Sequence, residues 1–242
     1  MTVVTAERFA KGRTFEEYLK YVGSPENLAR EAFGSYYPDG GSIGGPRKDN
    51  SAVFRERYTR ARLTDSQIAA ITWLAAQPDG PAKMLVISED WSSDCRRDVP
   101  ILARLADAGG LEMRIFNRDG QRVLWTRRPD PAAAPDANYD LMLQFMNKKD
   151  NDEWASLPAV GVYSRDFREL CRYIEYPSIY HKDRIRGSQQ AARPGETKEQ
   201  ARERGMREFA ALQVSPFFDL WASVAVDEIL SALYEKLTVR DA

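Results

Sequence analysis

One stretch of the chain, residues 83–100, constrains the fold more than any other. It begins with Met84 to Ile87, an apolar run rich enough in β-branched residues to predict a buried strand. The short polar turn Ser88-Glu89-Asp90 separates this strand from a helical pattern that continues to Leu105. A strand that leads into a helix through a tight polar turn is where α/β proteins commonly place binding or catalytic groups. The stretch therefore predicts an α/β fold with a candidate site in the turn.

The segment that follows this helix completes an α/β pattern. Residues 111–116 alternate between apolar and charged side chains and predict a second strand, and residues 138–146 predict a short helix. Residues 159–163 and 167–174 are two further apolar runs joined by a tight turn, which predicts a hairpin. Between the second strand and the short helix, residues 120–137 are rich in proline and alanine and indicate a surface insertion. The expected architecture is a mixed central sheet flanked by helices.

Helical patterns occupy both ends of the chain. Capping boxes that begin at Thr14, Thr64 and Thr197 predict helix starts, because each threonine is followed three residues later by glutamate or glutamine. These flanks are too long to be simple caps on a small domain, and we expect them to pack on the core. The expected parts are an N-terminal helical extension over residues 1–80, a core over residues 81–175 and a C-terminal helical extension over residues 176–242.

In the C-terminal flank, residues 187–196 predict a polar loop. The last and longest helix starts at Ser215-Pro216 and carries an apolar face that includes Phe217, Leu220 and Trp221.

Composition narrows the function classes. The 242 residues include 43% hydrophobic and 29% charged residues and carry a net charge of −1, which gives no indication of binding to nucleic acid or to a membrane surface. The sequence contains no apolar run of about 20 residues and no secretory h-region, so we expect a cytoplasmic protein. Two cysteines, Cys95 and Cys171, and one histidine, His181, are too few to indicate a disulfide framework, a metal site or a cofactor.

Four features of the chain together resemble the thioredoxin-like superfamily. They are the predicted strand, the Trp91-x-x-x-Cys95 turn, Pro100 five residues after the cysteine, and Pro158 at the start of the hairpin. The resemblance covers residues 83–173. The chain is also similar to a bacterial branch of largely uncharacterised thioredoxin-like proteins at Glu89-Asp90-Trp91, Asp94 and Arg118-Asp119.

The resemblance implies where a partner would bind. In the family, a Trp-Cys-x-x-Cys turn lies at a helix N-terminus, whose free N–H groups and dipole stabilise a thiolate. A cis-proline beside the turn exposes backbone groups to an extended peptide. We therefore predict a cis bond between Leu157 and Pro158. The residues expected to line the binding groove are Trp91, Ser93, Asp94, Leu157 and Pro158.

The departures from the family pattern remove most of its chemistry. Ser92 stands where the family has its nucleophilic first cysteine, and a serine hydroxyl without a nearby base cannot replace a thiolate in disulfide exchange. Val86 stands five residues before the tryptophan, where thioredoxins bury an aspartate that assists proton transfer. Cys95 retains the position of the family's second cysteine. The resemblance therefore implies that dithiol–disulfide cycling within this turn is excluded.

The roles of several turn residues stay open on sequence alone. Cys95 is either a reactive monothiol, which Arg96 and Arg97 would make more acidic, or a small buried hydrophobic residue. Trp91 is either a partner contact or a cover for the core. Asp94 and Asp98 are expected to cap the helix and to place negative charge at its N-terminus.

Two functions of different class remain. The first is a thiol–disulfide redox protein that works through Cys95 alone or with an external thiol, on a protein or peptide partner. It requires Cys95 to be accessible and acidic. The second is a non-catalytic module whose groove near Trp91 and Pro158 binds a protein or peptide. Whether the chain is an enzyme is open, and the helical extensions could also form a homodimer interface.

Overall fold

The structure is a computed structural model, and it describes residues 4–31, 47–123, 128–149 and 151–239. The expected insertion at residues 120–137 lies partly outside these ranges. The strands of the described residues are β1 (Lys83–Ser88), β2 (Glu112–Asn117), β3 (Asn147–Lys149), β4 (Asp152–Trp154), β5 (Ala159–Tyr163) and β6 (Glu169–Ile174). The helices are α1 (Ala6–Ala10), α2 (Phe15–Val22), α3 (Pro25–Leu28), α4 (Ser51–Arg60), α5 (Asp65–Ala75), α6 (Ser93–Gly109), α7 (Tyr139–Met142), α8 (Lys182–Gln190), α9 (Lys198–Gln213) and α10 (Pro216–Thr238).

The central sheet has the strand order β2-β1-β5-β6. β1 runs parallel to β2 and antiparallel to β5, and β5 forms an antiparallel hairpin with β6. Residues 84–88 of β1 are all buried, which explains why this strand is a continuous apolar run. The predicted α/β fold, a mixed sheet flanked by helices, is confirmed.

Helix starts follow the local sequence signals. The side chains of Thr14, Thr64 and Thr197 each accept a hydrogen bond from the backbone three residues on, and the glutamate or glutamine there bonds back to the threonine nitrogen. These three capping boxes satisfy donors that the helix itself leaves without partners. Pro25 and Pro216 occupy first-turn positions, where a missing N–H costs nothing.

One element was not predicted, and two local expectations were wrong. The short hairpin of β3 and β4 was not predicted, because three-residue strands carry no usable periodicity. The last strand begins at Glu169 rather than at Phe167, whose backbone adopts a left-handed φ of 66° that cannot continue a strand. The polar segment from residue 187 was expected to be a loop, yet its beginning is the second half of α8.

The helical extensions share one hydrophobic core with the sheet. Phe54 of α4, Ile71 of α5 and Ile229 of α10 are buried in the same cluster as Val86 of β1 and Leu102 of α6. Burial of such side chains stabilises a fold by about 1.5–3 kcal/mol each. In the described ranges no single helix is long and apolar enough to cross a membrane, whereas α9 and α10, which meet at 61°, pass that test only as a bent pair.

The buried face of α10 differs from the predicted one. Phe217 and Leu220 were expected to face the core, but they are 59% and 50% exposed. Phe218 is buried in their place, together with Trp221 and residues that follow at helical spacing, such as Ala225. α10 is apolar on most of its surface, so periodicity alone could not choose the buried side.

Candidate functional site

The turn after β1 is mostly inside the protein. Glu89, Asp90 and Ser92 are buried, and Trp91 and Ser93 are partly exposed. Ser92 is the N-cap of α6, and its Oγ accepts a hydrogen bond from the backbone nitrogen of Cys95 at 3.3 Å. Ser92, at the position where the resemblance would place a nucleophilic cysteine, therefore starts the helix.

Cys95 is fully buried, one turn into α6. Burial raises the pKa of its thiol to about 11, although hydrogen bonds with the side chains of Ser88 and Ser92 oppose that shift. The Ser88 hydroxyl also shares a 2.9 Å hydrogen bond with the hydroxyl of Tyr18, which α2 places over the end of β1. A thiol with this pKa is almost entirely protonated near neutral pH. The redox hypothesis requires a thiol that is accessible and acidic. In this environment the Cys95 thiol is buried and its pKa is raised.

The arginines beside Cys95 serve other acceptors. Arg96 donates from Nη1 to the carbonyl oxygens of Asp90 at 2.9 Å and Trp91 at 2.8 Å, which holds the turn in shape. Arg97 is buried and directs its guanidinium group to the carboxylates of Asp94 and Asp98. Of the two arginines that the monothiol interpretation places beside the thiol, Arg97 therefore already has its charge paired with carboxylates.

A first ionic cluster joins Glu89, in the turn after β1, to residues of the N-terminal extension. Arg30 donates from Nη2 to Glu89 Oε1 at 2.7 Å, and both side chains are buried. The same guanidinium group also donates to the side chain of Asn27 at 2.9 Å and to the carbonyl oxygens of Asp119 at 2.7 Å and Gly120 at 2.9 Å. Burial raises the pKa of Glu89, while Arg30 opposes the shift. Arg30 thus joins the segments that follow β1 and β2.

Asp90, the residue after Glu89, belongs to the same cluster. Asp90 forms a buried ion pair with Arg47 and accepts a hydrogen bond from Asn50 at 3.2 Å. Arg118 makes two parallel hydrogen bonds to Asp119, at 2.9 and 3.0 Å. The acidic and basic residues that resemble the bacterial branch are therefore internal ion pairs. Sequence reasoning missed Arg30 and Arg47, because no local pattern links an arginine to a carboxylate some 40 to 60 residues away.

A second ionic cluster holds the start of α6 from the C-terminal side. Arg97 lies 2.7 Å from both Asp94 Oδ1 and Asp98 Oδ1. Lys182 Nζ lies 2.5 Å from Asp94 Oδ2 and 2.8 Å from Glu175 Oε1. Burial opposes the charge on Lys182, but the two carboxylates raise its pKa above the usual value. The two aspartates therefore form ion pairs, whereas the predicted capping role belongs to Ser92.

The proline loop lies close to this cluster. The Leu157–Pro158 bond is cis, in agreement with the prediction, and both residues are buried. Asn147 donates to the Ser156 hydroxyl at 3.3 Å and to Glu175 Oε2 at 3.0 Å, which connects the loop to the second cluster.

Only part of the expected groove reaches solvent. Trp91 and Ser93 are partly exposed, whereas Asp94, Leu157 and Pro158 are buried. This arrangement leaves a narrow rim rather than an open channel.

Arg118 links Trp91 to the loop before the proline. Its guanidinium carbon lies 5.2 Å from the centre of the Trp91 ring, within the range of a cation–π contact. The same group donates to the carbonyl oxygen of Ala155 at 3.1 Å. The partly exposed surface around the turn therefore combines an aromatic ring with polar backbone.

Three further positions that the sequence singled out are Val86, Cys171 and His181. Val86 is buried and pairs with Ile115 on one side and Val160 on the other, so no proton carrier lies at its position. Cys171 is buried in β6, and burial raises its pKa to about 12. Both cysteines are free thiols. His181 is exposed at the start of α8, and no group of three or more potential ligand side chains within the described ranges could hold a metal ion.

The mixed sheet and the strand–turn–helix site together have the architecture of a thioredoxin-like fold. The profile of a thioredoxin family matches residues 43–135, a segment that contains the turn and Pro100 and ends before Pro158. The match covers less than half of the chain and supports a likeness to the thioredoxin-like superfamily.

Solved structures extend the likeness in fold. A protein of unknown function from Pseudomonas aeruginosa is 14% identical to this chain, with a TM-score of 0.50, and the likeness covers 96% of this chain and 98% of the other. An HIV epitope-scaffold is 13% identical over the same shares of the two chains, with a TM-score of 0.49. The first likeness shows the fold alone, and it includes the helical extensions. A search of curated proteins finds no match.

Proposed function

We propose that this protein is a non-catalytic thioredoxin-fold module that binds a protein or peptide partner. The observation that carries the proposal is the environment of the two residues at the motif positions, Ser92 and Cys95. Ser92 is a helix cap, and Cys95 is a fully buried thiol with a pKa of about 11. Neither group can attack a disulfide at neutral pH from this position, because exchange requires an accessible thiolate.

The partner surface is the rim of the turn. Trp91 and Ser93 are its partly exposed members, and Ala155 and Ser156 before the cis bond are also partly exposed. A tryptophan in such a position is suited to anchor a partner, because it supplies a large contact area and is fixed from behind by Arg118.

Thiol reactivity tests the chemical half of the proposal. Native protein treated with a thiol reagent between pH 7 and 9 should leave Cys95 unlabelled, whereas urea-unfolded protein should be labelled at both cysteines. Cys171, also buried, is the internal control for unfolding. Rapid labelling of native Cys95 with an apparent pKa below 8 would contradict the proposal.

Partner capture tests the binding half. A Cys95→Ser variant should capture the partner as well as the wild type does, and a reducing agent should not release it. Trp91→Ala should weaken capture about tenfold or more, as expected for the loss of an anchoring aromatic residue. Trp73→Ala is the matched control, since Trp73 is an exposed tryptophan on α5. Loss of capture in Cys95→Ser alone would show a mixed disulfide and reject non-covalent binding.

A monothiol redox protein is the second candidate function. The observation that favours it is the pair of hydroxyl groups, from Ser88 and Ser92, that hydrogen-bond to the Cys95 side chain and lower its pKa. Such bonds favour a thiolate, although burial outweighs them here. This candidate requires the turn to open before Cys95 can react with a protein or peptide disulfide.

A further inference from the structure

Helices α8 and α9, residues 182–213, form a helical hairpin, which we call the arm. Few of its side chains are buried. α8 has no buried residue, and the buried residues of α9 are Ala201, Arg204 and Gly205. Arg204 donates to the Gln189 carbonyl oxygen at 3.0 Å, and a Cβ added to Gly205 would lie 2.6 Å from that oxygen. The two helices therefore pack closely on each other. Elements that bury few apolar groups against the body of a protein open at low cost in free energy.

Two apolar side chains attach the arm to the body. Ile185 of α8 and Leu212 of α9 are partly buried against a small cluster made of Tyr180, Phe218 and Trp221. Tyr180 and Trp221 lie outside the arm and stack on each other with their ring centres 3.7 Å apart. The arm therefore packs at the edge of a cluster whose central contact does not involve it.

Lys182 is the polar attachment of the arm that lies at the candidate site. It is the first residue of α8, and its ammonium group bridges Asp94 at 2.5 Å and Glu175 at 2.8 Å. Among the described residues, Lys182 and Arg97 are the cations that pair with the carboxylates of the second ionic cluster, those of Asp94, Asp98 and Glu175. The carboxylates therefore attract the arm strongly to the start of α6.

Elsewhere on the arm, Asp183 accepts a hydrogen bond from the Tyr176 hydroxyl at 2.9 Å. Gln213, the last residue of α9, accepts hydrogen bonds from Arg96 at 3.2 Å and from Arg57 at 2.7 Å.

The arm joins the body through one exposed residue at each end. His181 is exposed and lies between Lys182 and the buried Tyr180. At the other end, Val214 is 84% exposed, and α9 meets α10 at 61°. Loop residues at the ends of packed elements can act as hinges.

We propose that the arm is a lid that Lys182 holds over the turn, and that breaking its two ion pairs lets the arm swing away and uncovers Ser93 and Asp94. The biological consequence, access for a partner, rests on the proposed function. The opening of the arm does not rest on the proposed function, because it can be measured on the protein alone. The lid is a device of regulation, since any group that competes for Asp94 and Glu175 favours the open state.

Amide hydrogen exchange of a Lys182→Met variant tests the lid. The amides of residues 183–213 and of the turn at residues 91–95 should exchange at least about tenfold faster than in the wild type. The amides of β1 and β5 should be unchanged, because the sheet does not depend on the arm. Lys198→Met, which removes an exposed lysine from the same arm, is the matched control and should leave exchange unchanged. Equal exchange of the arm in wild type and Lys182→Met would overturn the lid, as would equal acceleration of arm and sheet.

A double-mutant cycle keeps the test sharp if the methionine variant is perturbed elsewhere. Asp94→Asn should also speed exchange of the arm, and the Asp94→Asn/Lys182→Met double variant should exchange no faster than the faster single variant. Additive effects would show that the two residues act separately and would reject the lid. Faster exchange without any gain in partner capture would support the lid and count against the proposed partner site, so the two proposals fail separately.

Discussion

The hydroxyl oxygen of Ser92 lies 3.3 Å from the backbone nitrogen of Cys95 and accepts its hydrogen bond. One motif position thus caps the backbone of the other, where a redox thioredoxin would use two thiols.

Ser92→Ala should therefore cost stability. Loss of an N-cap side chain lowers the free energy of unfolding by about 1 kcal/mol. Ser93→Ala is the control, because Ser93 is the first residue inside the helix and is not its cap. Urea unfolding followed by circular dichroism measures both. Equal effects of the two substitutions would show that the cap contributes nothing.

Introducing a cysteine at position 92 should not create redox activity. A Ser92→Cys variant would carry two cysteines at the family's spacing, but Cys95 is buried and Val86 cannot carry a proton. We expect no reduction of insulin disulfides above the rate of the reductant alone. A clear gain in rate would show that the site keeps a redox geometry and would favour the monothiol hypothesis.

Arg30, which pairs with Glu89 in the first ionic cluster, should be essential for stability. Arg30→Met leaves Glu89 without its 2.7 Å partner in a buried site, and the loss of one partner of a buried pair costs about 3–5 kcal/mol. Arg60→Met is the matched control, since Arg60 pairs with Asp219 at the surface and such pairs contribute about 0–1 kcal/mol. Urea midpoints compare the two variants. A loss below about 1 kcal/mol for Arg30→Met would mean that water or another cation replaces it.

Alkaline pH should destabilise the fold through Cys95. The pKa of its thiol is raised from the usual 9.0 to about 11, so its contribution is fully present below about pH 9 and is lost as pH rises through 11. At pH 10.5 the loss is about 2 kcal/mol. The difference in unfolding free energy between wild type and Cys95→Ala isolates this residue. A difference that is constant between pH 8 and pH 10.5 would show that the thiol is not buried in solution.

Two adjacent phenylalanines test the orientation of α10. Phe218→Ala removes a side chain that is 1% exposed and should cost about 3–5 kcal/mol. Phe217→Ala removes one that is 59% exposed and should change stability by less than about 1 kcal/mol. Thermal unfolding distinguishes them, and the reverse order would place the other side of α10 against the core.

Much of the fold could be predicted because its signals are local. The apolar run of β1, the capping boxes and the prolines at helix starts act through residues within four positions of each other. The short hairpin of β3 and β4 and the buried side of α10 escaped prediction, since packing against distant elements decides both.

The sequence by itself determined the strand–turn–helix unit, the α/β class and the absence of a second thiol at Ser92. Only the tertiary structure decided the chemistry of that unit. Arg30 and Arg47 from one extension and Lys182 from the other neutralise its carboxylates, while Tyr18 helps to enclose Cys95. Burial and charge pairing depend on groups brought together from far along the chain, and no local pattern encodes them.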